Sequence, residues 1–535
     1  MSRGLGAYLN CLKYAGLFLL PAANAYARQA EPLVPCEQAP FDGISVCAVN
    51  MASYVRGAGA TVPPCPSGVT STGSGLLCEQ SFAAAIHDAK LFFAQTTPPN
   101  EPYLIEIGPG TYDFSTQTSA QPSSNGAIDV SGIAPMSVGC LAGSPATDGT
   151  VTLSGNPCLI ISGAGSDNTT LVTANGLTGI SGYRVSHIII ENMTMIQPNR
   201  STTQGVYVSQ ASRSINGIDY PTLTLDIAAG FPTPLMLFRI NCAKNGDAGC
   251  SRAGLPTVGN DIYMRAFTNG AAPQLIASTS KADSNAQFPW GFPTAGGKVR
   301  AVTRPTQPDP ENFPNRWTLT LSSSMSQRSI PSYYSGTTEG VANLICMKVD
   351  YTNAFKFDDN TAGGTDIILS NMVWIGSARG SFRGVRGTLD GGLGAQVYNS
   401  SIERGASVGG QVPCLSSQSG GIQIGLPGDP PIYGNAVYGL RATGTGDDSV
   451  AVFNDVGGTQ TPQGGFYPQT FIRHSVIGNS FARDILLTNA VANSHLAGNS
   501  PVIVDPFTQA EINDNGNCDP LVLGAENCPV TYKDY

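Results

Sequence analysis

Charge is scarce in this chain. Only 28 Lys and Arg and 37 Asp and Glu occur among 535 residues, and the balance is a net charge of −9. With no cluster of basic residues, the sequence lacks the positive footprint that neutralises phosphates, so nucleic acid is not an expected partner. Histidine is scarcer still: His87, His187, His474 and His495 stand far apart, and no pair of cysteines has the CxxC spacing. A histidine- or cysteine-built metal centre is therefore not expected, and nothing in the chain calls for a cofactor. Long apolar runs are missing as well, since no stretch reaches the roughly 18 residues that cross a bilayer as a helix. No membrane partner is expected once the leader described next is removed.

What is present begins with that leader. Arg3 and Lys13 precede the apolar stretch Tyr14 to Leu20, and small residues follow in Ala23-Asn24-Ala25 and Ala25-Tyr26-Ala27. The order is that of a secretory signal peptide over residues 1–27, cut after Ala25 or Ala27, which predicts a secreted or periplasmic protein. Losing Cys11 with the leader leaves twelve cysteines, an even set that suits disulfides. Most of them lie in close sequential pairs, as local staples would, and Cys346 with Cys414 is the natural long-range couple. Asn168, Asn192, Asn199 and Asn399 lie in N-x-S/T sequons.

Gly reaches 63 residues, and with abundant Asn, Ser, Thr and β-branched residues this composition points to an all-β, repetitive architecture with many tight turns. One helix interrupts it. Phe82, Ala85, Ile86, Ala89, Phe92 and Phe93 recur at helical spacing between Cys78 and Ala94, which predicts an amphipathic helix. An alternating strand, Tyr103 to Ile107, then runs into Pro109-Gly110-Thr111-Tyr112. Short strand-like segments recur afterwards at about twenty-residue spacing: Cys158–Gly163, Val185–Met195, Thr365–Trp374, Ala395–Ile402, Gly420–Gly425, Asp448–Phe453, Phe471–Val476 and Arg483–Leu487. Val185–Met195 and Thr365–Trp374 share the order strand, Asn, strand. An Asn at such a bend can stack on its counterpart one coil away, about 4.8 Å distant. Helix, strand and Pro-Gly-Thr-Tyr resemble the N-terminal cap and first rung of pectin-lyase-like parallel β-helices, in which the helix covers the open end of the coil.

The expected fold is thus a right-handed parallel β-helix with an N-terminal helical cap. Its expected divisions are cap and first rungs over 28–204, main helix with the site over 351–505, and a C-terminal cap over 506–535. Residues 205–350 break the rhythm with Thr222–Ile227 and Trp317–Leu321, alternating strands without Asn bends, and predict an inserted small β-barrel or sandwich.

The chemistry concentrates in Gly444-Thr445-Gly446-Asp447-Asp448-Ser449-Val450-Ala451-Val452-Phe453-Asn454-Asp455. Adjacent carboxylates cannot ionise independently, so one is pushed toward the range of a general acid while the other remains a base. The same pair also suits an ordinary solvated turn before a strand. Helix cap, Asn-punctuated rungs and the Gly-Asp-Asp-Ser-Val-Ala-Val strand together resemble polygalacturonase-type β-helix glycosidases. The inserted β-domain, followed by Ser377–Phe382 and Cys414–Gln418, is more similar to the bacterial α-1,3-galactosidases built on that helix.

The resemblance implies hydrolysis of a glycosidic bond by Asp447 and Asp448, in which an Asp one rung earlier assists. Here that rung reads Ser419-Gly420-Gly421-Ile422-Gln423 and lacks the Asp. Asp429, about one coil before Asp448, and Asp455, at the far end of the same strand, are the replacements. Asp455 lies about 23 Å along an extended chain from Asp448 at roughly 3.3 Å per residue, so it contributes only if the chain turns sharply after Phe453. The lacto-N-biosidase β-helix enzymes, a looser resemblance, keep that turn open. For substrate contact the expected residues are Arg483, His474 and Arg473 downstream, Gln423 and Asn454 beside the acids, and Arg383 and Arg386 near the same groove. These arginines would suit an anionic or hydroxyl-rich glycan. Arg473-His474 equally suits a solvated rung edge and Arg483 a structural ion pair with Asp484, while Trp374 is expected in the core. A lyase or epimerase would use an Arg, Lys or His base on the same fold, but no Arg-x-Pro-x-x-Arg signature occurs. A non-catalytic glycan-binding or surface protein is the remaining alternative.

Overall fold

A computed structural model describes residues 32–41, 44–54, 70–71, 77–95, 101–113, 115, 128–133, 141–142, 153–154, 159–173, 178–197, 202–237, 263–274, 299–303, 315–321, 344–348, 355–358, 367–376, 380–383, 394–417, 420–425, 435–453, 470–473, 475–481, 485–488, 495–497, 500–501, 511–513 and 531–533. The expected leader lies outside them, as does most of the expected C-terminal cap. The fold is all-β, and most of its strands run parallel in three ladders.

The first ladder joins Tyr103–Ile107, Leu159–Gly163, the start of Ile188–Ile196, the start of Ile367–Ile375, Ala395–Tyr398, Asn435–Tyr438, Thr470–Arg473 and His495–Ala497. Its register lines up Ile105, Ile161, Ile190, Leu369, Val397, Val437 and Ile472, one residue per strand, and all seven are buried in one core. Parallel strands buried in this way are near-continuous runs of branched apolar residues. The second ladder aligns Tyr112, Leu171, Met195, Trp374, Ile402, Ala442 and Ile477 in the same core. Trp374, 2% exposed, is a core residue. The third ladder runs through Ile180–Tyr183, Phe355–Asp358, Gly380–Arg383, Ile422–Ile424, Val450–Phe453 and Ile485–Thr488.

Asparagine makes the corner between the first two ladders. Asn192, Asn371 and Asn399 have φ of 60°, 51° and 44°, in the left-handed region that Asn tolerates better than most residues. Asn371 Nδ2 donates to Asn192 Oδ1 at 3.0 Å, and Asn192 Nδ2 donates to Ser162 Oγ at 3.2 Å. The described parts of these two segments, Ile188–Ile196 and Ile367–Ile375, stack directly, with Ile188 beside Ile367 and Met195 beside Trp374.

The helix Glu79–Phe93 buries Phe82, Ala85, Ile86, Ala89 and Phe92 against the first strands, the stripe that its spacing predicts. Its Asp88 is fully buried and accepts from the backbone N–H groups of Leu33 and Val34 and from the Tyr54 hydroxyl, all at 2.8 Å. Burial, with Tyr103 and Asp88 nearby, pushes the Tyr54 hydroxyl far above its ordinary range, so Tyr54 is the donor. Cys36–Cys47 and Cys346–Cys414 are disulfides, one a close pair and the other the long-range couple, and Cys78 is disulfide-bonded as well.

Between Ile188–Ile196 and Ile367–Ile375 the chain builds a separate six-stranded antiparallel sheet. Its order is Tyr263–Phe267, Leu344–Lys348, Thr202–Ile215, Ile218–Ile227, Arg316–Leu321, Val299–Thr303. Among the described residues no pairing joins its two edge strands into a barrel. Arg316 forks onto Asp226 across neighbouring strands with two bonds of 2.8 Å.

Candidate functional site

Asp447 and Asp448 occupy the turn that leads into Val450–Phe453 of the third ladder. Backbone bonds from neighbouring strands hold that turn on both sides. Gly421 N donates to Asp448 O and Ile422 N to Ser449 O, each at 2.8 Å, while Phe481 N donates to Thr445 O at 2.8 Å and Gly444 N to Gly478 O at 3.0 Å. A Cβ at Gly421 would strike the Ser449 carbonyl, so only glycine allows this approach. Carried two residues back from the pair Ile422 and Val450, the register sets Gly420, before the neighbouring strand, beside Asp448, and glycine brings no carboxylate to that place.

Below the acids runs a row of hydroxyls. Thr445 Oγ1 donates to Asp447 O at 3.1 Å, Ser449 Oγ lies 2.9 Å from Thr445 Oγ1, and Ser480 Oγ lies 2.7 Å from Ser449 Oγ. Each hydroxyl has one proton to give, so the first bond fixes the others: Ser449 donates to Thr445 and Ser480 to Ser449. Ser417 Oγ accepts from Gly446 N at 3.0 Å and donates to Gly420 O at 3.2 Å, which ties the acidic turn to the strand before it. All four hydroxyl-bearing residues are buried.

The carboxylates themselves are differently placed. Asp448 is 5% exposed. Asp447 is half-buried, yet its Oδ1 is shielded from solvent and has no hydrogen-bond partner. A carboxylate oxygen left so is costly unless a donor arrives. Gln423, 3% exposed, donates from Nε2 to Gly425 O at 3.3 Å and leaves Oε1 buried without a partner, and Ser416 Oγ is in the same condition. Arg404 packs against Gly444 and gives Nη2 to Pro273 O at 2.7 Å. Burial lowers its pKa to about 10, which leaves it charged at neutral pH.

The antiparallel sheet docks on the loop that precedes the acids. Phe267, Leu344, Cys346, Cys414, Leu415 and Phe481 form one buried cluster, closed by the Cys346–Cys414 disulfide. Gln204 accepts from Cys414 N at 2.7 Å and donates to Val412 O at 3.0 Å, while Lys348 Nζ lies 5.3 Å from the centre of the Phe481 ring.

Of the residues expected from sequence, Asp447, Asp448 and Gln423 belong to this region. Arg383 ends a third-ladder strand and Arg473 a first-ladder strand. Asp429, Asn454, Asp455, His474, Arg483 and Arg386 lie outside the described residues. Sequence reasoning did not single out Ser417, Ser480 or Arg404. Ser417 lies in the quoted Cys414–Gln418 segment, but a hydroxyl that works through backbone groups has no spacing signature. Among the described residues no three His, Cys, Asp or Glu side chains converge as a metal site, and no helix is long and apolar enough to cross a membrane. Comparison with protein-family models and with curated proteins yields no match.

Proposed function

We propose that this protein is a secreted glycoside hydrolase, that its three parallel ladders are the faces of a right-handed β-helix, and that Asp447 and Asp448 supply its acid and base. One observation carries the reading: Asp447 Oδ1 is buried without a partner beside the buried Asp448, at the head of a ladder strand. A sugar hydroxyl or an attacking water would satisfy that oxygen. Proton transfer to a leaving oxygen needs one protonated carboxyl and one ionised partner, the roles that Asp447 and Asp448 take in this proposal. The separation of the two working carboxyls decides between inversion and retention.

Arg483 and His474 orient the sugar in this proposal, with Arg473, Asn454, Gln423, Arg383 and Arg386 as further contacts, and Asp429 or Asp455 assists the pair. Arg483 precedes Ile485 by two residues, as Asp448 precedes Val450, and Val450 and Ile485 are register partners. That correspondence supports Arg483 most directly. Gly420 beside Asp448 favours a second reading, a glycan-binding protein without catalysis.

The deciding experiment incubates the secreted protein with a glycan array and follows both new reducing ends and the absorbance of unsaturated products. Reducing ends without that absorbance are expected. Unsaturated products would make the protein a lyase, and retention of a glycan without cleavage would make it a binder.

A further inference from the structure

Of the N-x-S/T sequons in the sequence, the structure describes three: Asn168-Thr169-Thr170, Asn192-Met193-Thr194 and Asn399-Ser400-Ser401. Attachment of an N-linked glycan uses two groups in each, the asparagine amide that becomes the linkage and the hydroxyl two residues on that the transferase reads. An asparagine amide has two protons, and the glycan replaces one of them. What the fold does with these protons and hydroxyls separates the three sequons.

Asn192 has no amide proton to spare. Its Nδ2 donates to Ser162 Oγ at 3.2 Å and to Glu191 Oε1 at 3.0 Å, while its Oδ1 accepts from Asn371. The Thr194 hydroxyl is buried and donates to Ser166 O at 2.7 Å. A sugar on Asn192 would break the asparagine stack at the corner of the first two ladders. Asn399 is exposed, but its Oδ1 packs on Gly439, where a Cβ would strike it, and Ser401 is buried with its hydroxyl given to Glu403 Oε1 at 2.8 Å.

Asn168 is the opposite case. It is exposed in the turn between Leu159–Gly163 and Thr169–Val172. Main-chain bonds hold that turn: Asn168 N and Thr169 N donate to Gly165 O at 3.0 and 2.8 Å, and Gly110 N donates to Asn168 O at 2.8 Å. Asn168 Nδ2 gives one proton to Ala164 O at 3.2 Å, and the other has no protein acceptor among the described residues. Thr170 is only half-buried, and its hydroxyl has no protein partner among them either.

We infer that Asn168 carries an N-linked glycan in the secreted protein and that Asn192 and Asn399 stay bare. The donor is a lipid diphosphate-linked oligosaccharide. Asn168 Nδ2 forms a bond to the anomeric carbon, the bond from that carbon to the diphosphate oxygen breaks, one amide proton passes to a base of the transferase, and the lipid diphosphate departs. The remaining amide proton keeps the bond to Ala164 O, so the turn is undisturbed. Four steps of the second ladder separate Thr169–Val172 from Arg441–Thr443, the strand just before the acids. At roughly 4.8 Å per step that is about 19 Å, so the glycan leaves the acidic turn open. The inference rests on export, not on hydrolysis.

The test secretes residues 28–535 from yeast behind a yeast leader, which makes it independent of the chain's own leader. Peptide-N-glycosidase in heavy-oxygen water converts each glycosylated asparagine into labelled aspartate, and peptide mass spectrometry reads the positions. Label is expected at Asn168 and at neither Asn192 nor Asn399. Asn168→Gln and Thr170→Ala should each be secreted and each be lighter by the mass of one glycan. Secreted wild type without label at Asn168 overturns the inference, as does label at Asn192 or Asn399, or a glycan mass that both variants retain.

Discussion

Gly421 shows how a single residue shapes the candidate site. Because it has no Cβ, the strand before the acids approaches the Ser449 carbonyl closely and the backbone bonds to Asp448 and Ser449 form. The acidic turn is consequently held by main chain on one side and by the Thr445 hydroxyl at Asp447 O, and Asp447 Oδ1 is buried without a partner. General acid or base groups contribute about 10²–10⁴-fold to turnover. Asp448→Asn should therefore lower turnover on any glycan found to be cleaved by at least about 100-fold, with the unfolding midpoint little changed. Near wild-type hydrolysis by an Asp447→Asn, Asp448→Asn double variant would reduce the pair to an ordinary turn.

At the scale of the element, the strands turn from the first ladder into the second on asparagines. Asn371 has two duties there: it accepts a left-handed backbone, and its amide bonds to Asn192 in the neighbouring parallel strand. Two substitutions separate these duties. Asn371→Gly keeps the backbone and loses the side-chain bond, at about 0.5–1.5 kcal/mol. Asn371→Ala loses the bond and adds the left-handed penalty of about 1–2 kcal/mol. Urea titration should therefore rank wild type above Gly and Gly above Ala. Equal midpoints for the two variants would mean that the left-handed backbone carries no cost here.

For the whole molecule, the antiparallel sheet is stapled to the loop before the acids by Cys346–Cys414, 68 residues apart in sequence. A loop of that length, cross-linked, restricts the unfolded chain by about 4 kcal/mol in the entropic account, and measured values usually fall between about 2 and 4. Cys346→Ser with Cys414→Ser should lower the melting temperature by several degrees. It should also reduce hydrolysis, because Leu415, Ser416 and Ser417 follow Cys414 directly and Ser417 holds the acidic turn. An unchanged turnover would show that the sheet docks without the staple. Mass spectrometry of the secreted wild type checks export and oxidation together: an N-terminus near Tyr26 or Arg28 and no free thiol are expected, and several free thiols would remove the disulfide framework.

Local rules were enough for much of this molecule. The helix stripe from Phe82 to Phe92, the apolar strand segments and the asparagine bends are legible because burial imposes a period and a corner imposes a residue type, both within a few positions of sequence. The inserted sheet itself begins at Thr202, three residues before the expected 205. The pairing of Cys346 with Cys414 was also within reach, since the remaining cysteines lie in close pairs. Other features depend on contacts between residues distant in sequence. That Ile188 stacks on Ile367 across an inserted sheet, that Ser480 continues the hydroxyl row of Thr445 and Ser449, and that Gly420 stands beside Asp448 are matters of register between strands. The inserted sheet is the clearest case: Thr202–Val206 lies beside Leu344–Lys348, and an alternating strand has the same sequence pattern whichever strand is its neighbour, so only the tertiary structure decides the pairing.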